Sequence, residues 1–82
     1  MNTELQRYYE DRLSMMGEKA WADLMDDVRQ MAEATNRLDG VDDIETLKFR
    51  KGELSIMNWI LSLKEVSEMT YLQLKEEDED SA

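Results

Sequence analysis

Glu53-Leu54-Ser55-Ile56-Met57-Asn58-Trp59-Ile60-Leu61-Ser62-Leu63-Lys64-Glu65-Val66 is the stretch that decides the fold. It contains no Pro or Gly and reads as helix, but as a helix apolar on two sides. Leu54, Met57 and Leu61 form one stripe, which Leu47 extends backwards. Ile56, Trp59, Ile60, Leu63 and Val66 form a second, on roughly the opposite side. One stripe suffices to dock a helix on its own domain. Two stripes require cover on both sides, and a chain of 82 residues offers few elements to supply it. The expected solution is a second chain, with Ile56, Trp59, Ile60, Leu63 and Val66 as the protein interface.

The length agrees. A chain of this size buries only roughly 60–65% of its unfolded surface, so its stability is marginal without help. Cys and His are both absent, which removes disulfides and the usual metal staples. Oligomerisation is the common staple left. The absence of Cys fits a reducing compartment. No apolar run approaches the ~20 residues of a membrane span. The beginning, Met1-Asn2-Thr3-Glu4-Leu5-Gln6-Arg7, lacks the basic-then-apolar form of a signal peptide. The expectation is a protein that is not secreted.

Twenty acidic residues against ten basic give a net charge of −10. Glu76, Glu77, Asp78, Glu79 and Asp80 account for half of that excess. Affinity for nucleic-acid phosphate comes from Lys and Arg, so direct nucleic-acid binding is not expected. An anionic membrane would repel the chain as well.

No Pro interrupts the sequence, there are three Gly, and β-alternation never persists. The class is therefore all-α. The first helix is expected over residues 3–15, with Thr3 as N-cap and Gln6 as its capping-box partner. Leu5, Tyr8, Tyr9, Arg12, Leu13 and Met16 follow helical spacing on one face. Gly17 either ends this helix or sits inside a longer one, where it costs about 1 kcal/mol. The second helix is expected over residues 18–37. Trp21, Leu24, Met25, Val28, Met31, Ala32 and Thr35 give the cleanest apolar stripe of the chain, with Asp23, Asp26, Asp27, Arg29, Gln30 and Glu33 opposite.

Asn36-Arg37-Leu38-Asp39-Gly40-Val41-Asp42-Asp43 is a turn by composition. Either Asp42 or Asp43 caps the third helix, and Glu45 adds negative charge to its first turn. That helix is expected to reach Lys75. Gly52 lies inside it, near the side of Ile56, Trp59 and Leu63, where it either admits another helix or marks a bend. Residues 1–75 then form a single helical domain, and residues 76–82 an acidic disordered tail. The picture is a helical hairpin of two long helices with a short N-terminal helix, completed by self-association.

Enzyme chemistry finds no support. Ser14, Ser55, Ser62, Ser67 and Ser81 have no His to activate them. The segment from Thr35 to Thr46 places Asp39-Gly40 like a calcium loop, but Thr35, Arg37 and Thr46 stand where acidic or amide ligands belong. Asp26-Asp27, Asp42-Asp43 and Glu76-Glu77 are helix neighbours that point ~100° apart and share no site. There is no phosphate-binding Gly pattern. Lys48, Arg50 and Lys51 flank Phe49 and are expected to pair with local carboxylates. No catalytic, metal or cofactor residue is expected. Trp21 is expected in the core, and Trp59 at an interface.

Three runs carry a resemblance: Tyr8-Tyr9-Glu10-Asp11-Arg12-Leu13-Ser14-Met15-Met16, Trp21-Ala22-Asp23-Leu24-Met25-Asp26-Asp27, and Phe49-Arg50-Lys51-Gly52-Glu53-Leu54 through Trp59-Ile60-Leu61-Ser62-Leu63. They resemble segments of small acidic helical proteins encoded by tailed bacteriophages. The resemblance implies a virion structural or assembly role, associated with capsid, portal or tail, in the virion or the host cytoplasm. The expected partners are a second copy of the chain and a larger phage or host protein. The alternative is an acidic regulator that mimics nucleic-acid charge and inhibits a host enzyme.

Overall fold

The computed structural model describes residues 2–80, with side chains through Asp78. Its three helices are α1 (Thr3–Met16), α2 (Lys19–Thr35) and α3 (Ile44–Asp80), and the described residues contain no strand. The fold is all-α, as the periodicity requires.

Local chemistry sets each boundary. Asn2, not Thr3, caps α1: its side-chain oxygen accepts from the Leu5 N–H at 2.7 Å. Asn ranks among the strongest N-caps, so Thr3 is drawn into the first turn. Gln6 therefore does not close a capping box; its amide donates to Glu10 at 2.9 Å. Gly17 ends α1 while staying in the right-handed region, at φ −85°. Its N–H donates to the Leu13 and Ser14 carbonyls. The chain restarts at once, with the Glu18 carbonyl accepting from Trp21 and Ala22. The first two helices are thus separate.

α2 stops at Thr35, two residues before its expected end. In the turn that follows, Val41 N–H donates to the Leu38 carbonyl at 3.1 Å, and Gly40 has φ +77°. That positive angle at the third position of a four-residue turn is the reason for glycine there. Asp43, rather than Asp42, caps α3 by accepting from Thr46 N–H at 2.6 Å. α3 then continues to Asp80, beyond the expected end at Lys75. No Pro or Gly follows Gly52, and Glu is a good helix former, so nothing local stops the helix there. Residues 76–80 of the expected disordered tail are helical; Ser81 and Ala82 lie outside the described residues.

The chain divides into two compact units, Asp23–Ser62 and Met1–Ala22 with Leu63–Ala82. In the first, α2 turns inward with Met25, Val28, Ala32 and Thr35, and α3 with Leu47, Arg50, Leu54, Met57 and Leu61. The Arg50 guanidinium donates to the Arg37 carbonyl, tying α3 to the turn rather than to a carboxylate. In the second unit, α1 turns inward with Leu5, Tyr9, Arg12, Leu13 and Met16, and α3 with Leu63, Ser67, Thr70, Tyr71 and Leu74. Ser67 is buried, and Arg12 donates to its hydroxyl at 3.5 Å. Tyr71 donates to Glu10 at 3.0 Å, and the Tyr9 and Tyr71 rings lie 6.4 Å apart. Arg12 also lies over the Tyr8 ring and donates to its hydroxyl.

Cover is thin throughout. Among the described residues, Met16 and Met25 are the buried apolar ones, and no large side chain is fully enclosed.

Candidate interaction surface

An amphipathic helix that packs on one side should leave a polar side to water. In the unit formed by Asp23–Ser62, α3 departs from this rule. Phe49, Ile56 and Trp59 are 69%, 59% and 60% exposed. They recur at seven- and three-residue spacing, on the side turned away from Leu47, Leu54, Met57 and Leu61. Ile60, at the edge of this group, is half-buried.

The remaining two residues expected at the interface belong to the other unit. Val66 is exposed there. Leu63 is half-buried and falls in line with Ser67, Thr70, Tyr71 and Leu74, the inward stripe of that unit. The second apolar stripe is thus partly used by the chain itself. Its use changes along α3, with Ile56 and Trp59 left in solvent and Leu63 drawn inward.

The sequence reading missed several exposed apolar residues. Phe49 was grouped with its basic neighbours, although it stands seven residues before Ile56. Leu24 and Met31, also seven apart, are exposed along one edge of the α2 stripe whose centre is Met25, Val28 and Ala32. The signal was the width of that stripe, which exceeds what one neighbouring helix covers. Met69 and Leu72 are exposed in the other unit.

Gly52 belongs to the same stripe of α3. A Cβ placed there meets nothing within 4 Å. Nothing within the chain therefore requires glycine, although it weakens a helix interior by roughly 0.5–1 kcal/mol relative to Ala.

The ionisable groups show no reactive arrangement. Asp43 is held below the usual carboxylate range by hydrogen bonds from the Thr46 backbone and side chain. Glu10 is lowered by hydrogen bonds from Gln6 and Tyr71, and the Tyr71 hydroxyl is raised by Glu10. Each shift follows from a cap, a hydrogen bond within α1 or a helix-to-helix contact. Among the described residues, no three acidic side chains gather to hold a metal ion, and no buried side-chain polar atom lacks a hydrogen bond. Among the described residues, no helix is long and apolar enough to cross a membrane. No family model, curated protein or solved structure matches this chain.

Proposed function

We propose that this protein acts by protein–protein contact rather than catalysis, as a helical component that self-associates through α3. The observation that carries the reading is the exposure of Ile56 and Trp59, both about three-fifths open, on a helix whose other stripe is already covered. Trp is the residue type most enriched at binding hot spots, and such side chains contribute mainly when desolvated by a partner. In this reading the segments of the Asp23–Ser62 unit pair as an antiparallel hairpin across the turn at Gly40. The resemblance to small acidic phage proteins extends the role to virion structure or assembly, with a larger capsid, portal or tail protein as second partner.

The test is the solution mass of an Ile56→Ser/Trp59→Ser double variant. Self-association through α3 predicts a monomer that keeps its helix content. A variant that retains the wild-type mass above 9.7 kDa contradicts it.

The net charge of −10 favours a second reading, an acidic regulator of a basic protein surface. Such binding would be steered electrostatically and would weaken as salt rises. Association that holds or tightens in high salt speaks for the apolar surface.

A further inference from the structure

We infer that the outward face of α3 between Glu65 and Glu76 docks a basic amphipathic helix of another protein, one whose contact side sets apolar residues among Lys and Arg. This rests on the reading in which the net charge of −10 serves to bind a basic protein surface. It goes further by assigning the site and the chemistry of the partner.

The face follows from helix geometry within the unit formed by Met1–Ala22 and Leu63–Ala82. There α3 turns inward with Leu63, Ser67, Thr70, Tyr71 and Leu74. At about 100° per residue, Glu65, Glu68, Met69, Leu72 and Glu76 centre about 170° from that line and span about 100°. From Leu63 to Asp78, no other residue falls within that span. All five are exposed, Met69 at 55% and Leu72 at 59%. The outward side of a packed helix should be polar. Here two apolar side chains stand three residues apart, as neighbours on the helix surface, with three carboxylates around them. Lys64 and Lys75, the lysines of this segment, lie on the flank beyond Glu68. The Lys75 ammonium is held 5.1 Å from the centre of the Tyr71 ring.

Charge complementarity selects the occupant. A second copy would set the same three carboxylates against these, and like charges brought face to face suppress docking. An anionic membrane and a nucleic acid are repelled in the same way. An uncharged apolar segment would cover Met69 and Leu72 but would desolvate the carboxylates beside them without pairing them. A basic loop without apolar side chains would pair the carboxylates and leave Met69 and Leu72 in water. A helix that presents apolar residues flanked by Lys or Arg does both, the first through packing and the second through charge-assisted hydrogen bonds. Met69 suits this use, because its unbranched thioether adapts to partners of different shape.

The probe is a fluorophore-labelled synthetic helical peptide of Leu and Lys at amphipathic spacing, read by anisotropy at low salt. The wild-type chain should bind it at least tenfold more tightly than a peptide of equal charge in which Ser replaces Leu. Met69→Ser/Leu72→Ser should weaken binding at least tenfold while α-helical circular dichroism persists. Glu65→Gln/Glu76→Gln should weaken it as well and flatten its salt dependence. Asp27→Asn/Glu33→Gln removes the same two charges from α2 and should leave binding nearly unchanged. Docking at this face is overturned, and the basic-partner reading stands, if the Ser peptide binds as tightly or either α3 variant binds like the wild type. The same holds if the α2 variant loses as much as the Glu65/Glu76 variant. A wild-type chain that binds neither peptide overturns both.

Discussion

Gly40 and Asp43 stand three residues apart and hold the turn in different ways. Gly40 occupies the left-handed region, where a Cβ is disfavoured by about 1–2 kcal/mol. Gly40→Ala should therefore lower the thermal midpoint, although the added Cβ would meet no neighbour. An unchanged midpoint would mean that the turn relaxes freely. Asp43 acts through its charge as a cap. Its carboxyl is lowered in the folded chain, so its contribution is present above the usual Asp range and is lost as pH falls through the folded value. Asp43→Ala should be less stable than wild type at pH 7, and the two should converge in acid. A difference independent of pH would contradict a contribution from the charge of the cap. Tyr71 has the opposite sign: its raised pKa makes its hydrogen bond to Glu10 a contribution present at neutral pH and lost as pH rises above about 10. Tyr71→Phe should accordingly destabilise at pH 7 and less so in strong alkali.

The elements themselves were largely legible in the sequence, because their punctuation is chemical. Gly40 and its Asn and Asp neighbours mark the turn, and the periodicity of Trp21 to Thr35 marks α2. What could not be read came from choices between near-equal local options. Asn2 and Thr3 both cap well, and Asp42 and Asp43 both could; a one-residue register decides between them. The end of α3 was missed because charge density beyond Lys75 suggests disorder, while helix propensity and the lack of a breaker carry the helix on. The interface stripe was half legible. Its two apolar sides were evident, but Leu63 pairs with Ser67 and Tyr71 on an inward line that a uniform stripe does not reveal. Gly17 offers a test at this scale. It has φ −85°, and a Cβ there would sit 3.5 Å from the Leu13 and Ser14 carbonyls, an ordinary contact. Gly17→Ala should stabilise by about 0.4–1 kcal/mol through a less flexible unfolded chain. Destabilisation would show that the break between α1 and α2 needs glycine.

For the whole molecule, the balance between covered and exposed apolar surface dominates. Among the described residues, two buried methionines and one buried serine make a small core. A chain of this size with no Cys for a disulfide has few staples open to it, and oligomerisation is one of them. Gly52 offers a test of helix propensity within α3. In a monomeric Ile56→Ser/Trp59→Ser background, Gly52→Ala should raise the thermal midpoint, as helix propensity alone dictates. An unchanged or lowered midpoint would mean that helix propensity does not govern this position.

The most direct measurement is sedimentation equilibrium of the wild-type chain over a range of concentrations, at low and high salt. Association through an apolar face predicts a mass twice 9.7 kDa that persists or strengthens in high salt. A mass of 9.7 kDa at every concentration and both salts would contradict it.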